Sequence, residues 1–334
     1  MGDRERIAVV LAALARLRAR NAEPLSQGLS PQNARRCLAL ACDAITAEGL
    51  AAELATPGRR PASVAAIAAG GVFTSPLEWV AMLAAAGCRV WLKAPSVDAA
   101  FCDALVEEGL AVPITGRAIP QEAEAILAFG GDETMASFKT AWPDRKLALY
   151  GHRFSVAMVH ADTDLPGLAR ALTLDHALYD TRGCMAPVAI FALGDARALE
   201  HAMAEAMAQM QVELPRGAIE PSLGSVWRER QGLARARGRA HLGEGWGVLS
   251  LPAAHFLPFA LPRMAVIHPV EGPDEVAIAL APWRAWLSSC ATNLQPERAT
   301  SLGVLRVCAP GSLQIPAFPR RHDGRPMLGS LVLD

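Results

Sequence analysis

The sequence has no excess of charge of either sign. Its 334 residues contain 32 Lys plus Arg and 33 Asp plus Glu, which gives a formal net charge of −1. Without a basic excess, we expect no binding to nucleic acid. Long apolar runs are also absent, because charged residues such as Lys93 and Asp132 interrupt the best candidates, so no membrane span is predicted. Residues 6–20 predict an amphipathic helix rather than a secretory signal.

Closely spaced cysteines are absent as well. The seven cysteines are few and widely separated, no CxxC pair occurs, and they lie at Cys37, Cys42, Cys88, Cys102, Cys184, Cys290 and Cys308. This pattern favours reduced thiols in a cytoplasmic protein over a disulfide framework or a zinc site. No HxxxH or HExxH spacing is present, so no metal site is predicted.

Aromatic residues are scarce, at 5%, although 52% of the chain is hydrophobic and much of that is alanine. This is enough apolar material for a large core, and it argues against disorder. A chain of 334 residues exceeds the usual size of one domain, so two domains are expected.

Short apolar runs alternate with helical patterns after a helical region of about 60 residues. Ser30-Pro31 is a typical helix start. Beyond it, strands are predicted at 89–92 and 125–129, and helices at 75–86 and 97–110. This alternation indicates βαβ units and a parallel sheet. Gly130-Gly131 follows a strand, where backbone amides can approach a phosphate, although glycine pairs are also common in ordinary turns.

The second half has the same alternation, with strands at 154–159 and 188–193 and helices at 165–178 and 196–210. Residues 216–245 are rich in glycine and arginine and are hard to assign; the arginines are Arg228, Arg230, Arg235, Arg237 and Arg239. They predict a solvated helix face or, as a sharper hypothesis, a docking patch for an acidic partner or a phosphate tail.

Cys184 is the candidate nucleophile. It follows Gly183 in a polar turn just before an apolar strand, where a thiol can be exposed near backbone amides. The opposing interpretation is that a cysteine in an alanine-rich protein is a small buried hydrophobe. The histidines His152, His160 and His176 are scattered and form no local signature with it.

Four segments in order resemble the aldehyde dehydrogenase superfamily. Residues 84–96, AAAGCRVWLKAPS, are similar to the family's AAGNxVVLKPS stretch, and residues 150–165, YGHRFSVAMVHADTDL, resemble LGGKSPxIVxxDADLD. Gly183-Cys184 stands at the GQxC nucleophile, and residues 268–280 resemble GPVxxxxxxxxDEAIALA. The resemblance implies that Cys184 is the nucleophile and that Lys93, Pro95 and Ser96 bind the adenosine ribose of a nicotinamide cofactor.

The LuxC-type acyl-CoA reductases are the most similar branch. Residues 175–187, DHALYDTRGCMAP, resemble its DxxxYDQxGCxSP motif, and residues 128–133, AFGGDE, its xWGGxE turn. Residues 306–328 resemble its RVxxxGxxQxPxxxxHDGxxxL pattern. This similarity adds Gly130 and Gly131 to the expected cofactor-binding residues.

Three departures from the superfamily bear on the chemistry. Leu149 stands where the hydrolytic members have a glutamate that activates water, and leucine cannot take a proton. Ala265 stands where a glutamate commonly touches the nicotinamide ribose, and no asparagine matches the usual oxyanion-hole side chain. Backbone amides at Cys184 are therefore expected to stabilise the oxyanion.

The resemblance implies an α/β fold of the aldehyde dehydrogenase type, with a Rossmann-like cofactor domain at 1–149 and a catalytic α/β domain at 150–310. The tail, 311–334, is expected to return to the first domain or to a partner subunit. The implied activity is reduction of acyl-CoA or an acyl carrier protein to an aldehyde with NADPH or NADH, in a homodimer or homotetramer. The alternatives are a small-aldehyde dehydrogenase, an acyl-phosphate reductase, or a non-catalytic scaffold.

Overall fold

Two compact units make up the chain. The computed structural model describes residues 1–96, 98–116, 118–162 and 164–333. The first unit comprises Met1–Gln27, Ala34–His152 and Pro316–Asp334, and the second comprises Gly28–Asn33 and Arg153–Ile315. Residues from 316 onwards thus belong to the first unit. Assignment of a cofactor role to one unit and a catalytic role to the other stays a prediction.

Three helices precede the first strand, in the region of about 60 residues that the sequence predicts to be helical. They are α1 (Asp3–Arg18), α2 (Pro31–Asp43) and α3 (Ala47–Leu54). The predicted start of α2 is confirmed, because the backbone N–H of Asn33 donates to Oγ of Ser30 at 3.3 Å. Thr46 caps α3 in the same manner by accepting from the N–H of Gly49.

The first unit contains a five-stranded parallel sheet. Its elements are β1 (Ser63–Ile67), α4 (Leu77–Ala85), β2 (Arg89–Lys93), α5 (Ala99–Glu107), β3 (Val112–Pro113), β4 (Ala125–Phe129), α6 (Asp132–Ala141) and β5 (Lys146–Tyr150). The strand order is β3-β2-β1-β4-β5. The order reverses between β1 and β4, and ligands of such sheets bind at this point, beyond the carboxyl ends of the strands. Val97, the predicted first residue of the second helix, lies outside the described residues.

The second unit contains a seven-stranded sheet. Its elements are β6 (Phe154–His160), α7 (Leu165–Ala177), β7 (Pro187–Leu193), α8 (Ala196–Glu213), α9 (Pro221–Arg237), β8 (Arg239–Gly243), β9 (Trp246–Ser250), β10 (Met264–Pro269), α10 (Pro273–Leu280), β11 (Leu287–Thr292), α11 (Pro296–Thr300) and β12 (Arg306–Cys308). The order is β12-β11-β6-β7-β10-β9-β8, and only the β8–β9 pair is antiparallel. Every residue of β7 is buried, as expected for a central parallel strand.

The segment that sequence patterns left unassigned forms α9 and the β8–β9 hairpin. Its arginines obscure the helical pattern, but Leu223, Val226, Trp227 and Leu233 pack on a small core with Leu249 and Met264. The alternative of a solvated helix face is correct for the exposed Arg228, Arg235 and Arg237.

The chain's last segment packs on the first sheet. Its short strands β13 (Arg321–His322) and β14 (Arg325–Pro326) pair with each other. The ring of His322 lies 4.3 Å from that of Tyr150 and 5.4 Å from that of Phe129. The guanidinium of Arg325 lies over the Tyr150 ring and donates to the carbonyl of Leu149 at 2.7 Å. The segment 316–333 therefore packs against the carboxyl ends of β4 and β5.

Candidate active site

Cys184 lies in the turn between α7 and β7 of the second unit, and its side chain is partly exposed. The hydroxyl of Ser155, on β6, donates to the carbonyl oxygen of Cys184 at 2.7 Å. The same hydroxyl accepts from the N–H of Ser289, on β11. Two sheet strands therefore fix the backbone at Cys184.

The backbone leading to Cys184 is left-handed over three consecutive non-glycine residues. Tyr179, Asp180 and Thr181 have φ values of 55°, 52° and 61°. Gly183, directly before the cysteine, is also left-handed, with a φ of 83°. Each non-glycine residue in this region costs about 1–2 kcal/mol, so surrounding contacts must impose the conformation.

A buried ion pair supplies the main contact. Nε of Arg263 donates to Asp180 at 2.7 Å, and both side chains are only 1% exposed. Asp180 also accepts from Nδ2 of Asn33 at 3.1 Å and from the backbone N–H of Gly217 at 2.8 Å. The guanidinium of Arg263 donates in addition to the carbonyl of Leu214. Three distant segments, around Asn33, Gly217 and Arg263, thus hold one carboxylate.

Thr181 locks the same turn from its other side. Its hydroxyl donates to the carbonyl of His176 at 2.9 Å and accepts from the backbone N–H of Arg263 at 3.1 Å. Arg263 therefore binds two adjacent residues of the turn, one through its side chain and one through its backbone.

Asp175 and His176, near the end of α7, are buried and titrate abnormally. Asp175 accepts from the N–H groups of Gly311 and Leu313, at 2.7 and 2.9 Å, and burial raises its pKa to about 6. Both ring nitrogens of His176 lack a hydrogen-bond partner among the described residues, and burial lowers its pKa to about 3. Both residues are structural in this arrangement.

Burial raises the thiol pKa of five other cysteines. The pKa is about 12 for Cys42, Cys102 and Cys290, and about 11 for Cys88 and Cys308. A thiol with so high a pKa is almost entirely protonated near neutral pH, and thiolate is the reactive form. Cys37 is fully buried.

The predicted cofactor residues lie at the carboxyl ends of the first unit's sheet. Lys93 ends β2, where its Nζ donates to the carbonyl of Gly116 at 2.7 Å, and Pro95 and Ser96 follow it. Gly130 follows β4, and Gly131 is the N-cap of α6. No heavy atom lies within 4 Å of the position where a Cβ would extend from Gly131. The turn therefore has open space beside the N–H groups of a helix start, the environment that a phosphate requires.

Asp98, the acidic residue that follows β2, already accepts hydrogen bonds from the protein backbone. Asp98 is buried, and its carboxylate accepts from the backbone N–H groups of Gln27 and Gly71, at 2.8 and 3.1 Å. It positions the turn after β1 instead of offering a carboxylate to a ribose. Sequence patterns missed this residue, because an isolated aspartate carries no motif.

Leu149 and Ala265, which replace glutamates common in the superfamily, lie in apolar surroundings in the structure. Leu149 lies in β5 and is partly buried, and Ala265 lies in β10 and is fully buried in the second unit's core. Neither position offers a group that can accept a proton. Arg263 was also missed from sequence, although a lone arginine within an apolar stretch is a signal of a buried ion pair.

Within the described parts of the chain, no group of three or more His, Cys, Asp or Glu side chains is placed to hold a metal ion. No helix of those parts combines the length and the apolar character needed to cross a membrane.

Solved structures of similar fold include an oxidoreductase from Marinobacter aquaeolei, with a TM-score of 0.77 and 15% identity over 98% of this chain and 83% of that one. An NADP-dependent glyceraldehyde-3-phosphate dehydrogenase from Bacillus halodurans C-125 aligns with a TM-score of 0.70 and 16% identity, over 99% and 85% of the two chains. An aldehyde dehydrogenase from Brucella melitensis biovar abortus 2308 aligns with a TM-score of 0.71 and 16% identity, over 93% and 78%. The predicted aldehyde dehydrogenase fold is therefore confirmed.

A characterised relative and a family model connect the chain to one branch of that fold. Long-chain acyl-protein thioester reductase 2 of Photobacterium leiognathi is 25% identical over 240 residues, which cover 67% of this chain but only 48% of the relative. The family model acyl-CoA reductase (LuxC) matches residues 115–333, a range that includes Gly130, Gly131 and Cys184 but not Lys93. Since this match covers more than half of the sequence, the chain belongs to the acyl-CoA reductase (LuxC) family.

Proposed function

We propose that the protein is an NADPH-dependent reductase of acyl thioesters, carried by CoA or by a carrier protein, that releases an aldehyde. The observation that carries this proposal is the construction of the turn before Cys184. Three left-handed residues and a buried ion pair present one partly exposed thiol, while burial raises the pKa of five other cysteines. Backbone strain of this kind is typical of a functional site.

Cys184 performs the first step. Its thiolate attacks the carbonyl carbon of the acyl thioester, the bond to the carrier sulfur breaks, and the carrier thiol leaves with the proton that Cys184 released. The acyl group is then a thioester of Cys184. Backbone amides of the turn stabilise the negative charge that develops on the carbonyl oxygen.

We expect slow hydrolysis of the acyl-enzyme, because the family resemblance puts Leu149 where the hydrolytic members have a glutamate that activates water. Leucine cannot take a proton from water, so attack of water on the thioester receives no assistance from this position. NADPH, when bound, would supply the hydride; with one proton from solvent, the thioester of Cys184 would then yield an aldehyde and the free thiol.

The residues at the carboxyl ends of β2 and β4 fit this cofactor. The open space at Gly131 and the amides of α6 suit its phosphates, and Lys93 lies at the ribose position that the family resemblance implies. An acidic residue at the ribose selects NADH by binding its 2′-hydroxyl, whereas a site without one accepts the 2′-phosphate of NADPH. Residues 94–96 contain no acid and Asp98 is held by backbone amides, which favours NADPH.

Acyl-enzyme labelling tests the function directly. The protein is incubated with radioactive acyl-CoA without cofactor and the label that stays on the chain is counted. Cys184→Ala should carry no label, whereas the control Cys308→Ala, at the other partly exposed cysteine, should label like the wild type. Full labelling of Cys184→Ala would contradict the assignment of Cys184 as the nucleophile.

Cofactor oxidation separates the remaining chemistries. Acyl-CoA and an acylated carrier protein should support NADPH oxidation, and an acyl phosphate should not. Failure of both NADPH and NADH to bind in a calorimetric titration would indicate a non-catalytic protein instead.

A further inference from the structure

A surface cavity of about 420 Å³, broadly open to solvent, lies in the second unit, beside the first half of α9 and the turn between β8 and β9. It falls within the range of ~300–1,000 Å³ that is common for small-molecule sites. Its lining includes the cationic side chains of Arg216 and Arg228, the carboxylate of Glu220 and the apolar side chains of Ile219 and Trp227. None of these residues belongs to the catalytic turn or to the cofactor positions described above.

The cavity carries positive charge that the protein does not fully satisfy. Nε of Arg216 is buried and has no hydrogen-bond partner among the described residues. Burial, together with the nearby charge of Arg263, lowers the pKa of Arg216, although Asp180 opposes the shift. Arg228 is exposed and donates to the hydroxyl of Ser225 at 3.1 Å. Two arginines therefore line one cavity, and an anion bound there would be attracted by both charges.

The wall of the cavity is also part of the support of the catalytic turn. Arg216 precedes Gly217, whose backbone N–H donates to Asp180 at 2.8 Å, and the carbonyl of Leu214 accepts from Arg263. Asp180 and Cys184 are four residues apart, hence separated by at most about 14 Å. The backbone of residues 214–217 therefore connects the arginine of the cavity with the residues that hold the nucleophile.

We propose that this cavity binds the phosphate ester at the end of the pantetheine arm of the acyl donor, with Arg216 and Arg228 as its cationic ligands. The inference rests on the proposed function, in which the acyl group arrives as a thioester on such an arm. Phosphate takes several charge-assisted hydrogen bonds, and arginine supplies them in a fixed planar geometry. The apolar lining, chiefly Ile219 and Trp227, suits the aliphatic part of the arm. Glu220 is the one carboxylate at the rim.

The arm has the same chemistry in CoA and in a carrier protein, and α9 distinguishes the two sources. This helix has four arginines and one glutamate, and Arg235 and Arg237 are exposed outside the cavity lining. An acidic carrier protein would contact these two arginines, whereas CoA would not need them.

Binding is measured by calorimetry on the full chain, with 4′-phosphopantetheine, pantetheine and inorganic phosphate as probes. The wild type should bind phosphopantetheine at least 10-fold more tightly than pantetheine, and phosphate should compete. Arg216→Gln and Arg228→Gln should each remove most of this preference and leave the affinity for pantetheine unchanged. The control is Arg197→Gln, an exposed arginine on α8.

The preference should persist in Cys184→Ala, because the cavity does not include the nucleophile. If the preference is absent from the wild type, or if both cavity variants keep it, the inference is wrong, while labelling of Cys184 still decides the proposed function. Arg228→Gln covers the case in which Arg216→Gln fails to fold. The steady-state rate of NADPH oxidation by the double variant Arg235→Gln/Arg237→Gln distinguishes the two sources. A lower rate with the acylated carrier protein, together with an unchanged rate with acyl-CoA, identifies the carrier protein as the source. An unchanged rate with both donors would overturn the proposed contact of a carrier protein with Arg235 and Arg237.

Discussion

The carboxylate of Asp180 and the guanidinium of Arg263 are joined at 2.7 Å, and each side chain is 1% exposed. The two residues are 83 positions apart, and one of them is left-handed four residues before the candidate nucleophile. A pair removed from water in this manner forces its two segments into one arrangement, because either charge alone would be buried without compensation. The geometry of Cys184 therefore depends on residues far from it in the sequence.

Asp180→Asn should destabilise the second unit strongly. Removal of one partner leaves the Arg263 charge buried and uncompensated, which costs about 3–5 kcal/mol in comparable cases. Urea unfolding measures the loss. The control is Glu213→Gln, which breaks the exposed pair with Arg170 and should cost about 0–1 kcal/mol. Equal losses in the two variants would contradict the structural role assigned to Asp180.

Gly183→Ala should slow acylation of Cys184 more than it destabilises the fold. The φ of 83° at Gly183 costs an alanine about 1–2 kcal/mol. The turn can relieve this strain only by shifting the adjacent cysteine, so we expect a loss of roughly 10-fold or more in the labelling rate. The control Gly272→Ala, at an extended backbone position with no heavy atom within 4 Å, should label normally.

Gly131→Ala should weaken cofactor binding without unfolding the first unit. The backbone at Gly131 has φ −70°, which alanine tolerates, and the added methyl group meets no protein atom within 4 Å. It would instead occupy the space proposed for phosphate, so the Kd for NADPH should rise about 10-fold, close to 1.4 kcal/mol. Gly232→Ala, equally open but on α9, is the control for fluorescence titration. Unchanged affinity would remove Gly131 from the cofactor site.

Ser96→Glu should shift cofactor preference from NADPH towards NADH. A carboxylate introduced after β2 repels a 2′-phosphate and accepts a hydrogen bond from a 2′-hydroxyl. The ratio of kcat/KM for NADPH and NADH is the measurement, and Ser96→Ala should keep the wild-type ratio. A ratio unaffected by the glutamate would mean that the ribose is bound elsewhere.

Asp175 and His176 should give stability two opposed pH dependences. The pKa of His176 is lowered from 6.5 to about 3, so its contribution is complete above pH 6.5 and is lost as the pH falls towards 3. The pKa of Asp175 is raised from 3.8 to about 6, so its contribution is complete below pH 3.8 and is lost as the pH rises through 6. Because the two windows overlap, the slopes partly cancel in the wild type.

Urea midpoints from pH 4 to 7 separate the two effects. His176→Phe removes the histidine, so its stability should fall more steeply as the pH rises. Asp175→Asn removes the carboxylate, so its stability should fall more steeply as the pH drops. Parallel pH profiles for the wild type and both variants would show that neither group titrates as its burial indicates.

Local patterns predicted two of the five strands of the first unit's sheet, β2 and β4. The strand at 125–129 is observed within the predicted bounds, and the strand at 89–92 extends to Lys93. The glycine pair after β4 and the cysteine before β7 lie where short-range signals placed them. These elements are predictable because hydrophobic periodicity and turn residues act between neighbours in the chain.

Long-range contacts account for what the patterns missed. Helix α9 was not assigned, because its apolar residues are few and acquire their helical face only by packing on β9 and β10. Arg263 and Asn33 reach Asp180 from positions 83 and 147 residues away. No local pattern encodes such partners, since each depends on how several segments meet.

The low aromatic content, the neutral charge balance and the wide spacing of the seven cysteines were determined by the sequence alone, and so was the family, through motifs that adjacent residues carry. Tertiary structure decided which cysteines are buried and which are partly exposed. The physical reason is burial, which raises the pKa of five thiols and makes it costly to separate Asp180 from Arg263, since either charge alone would be uncompensated.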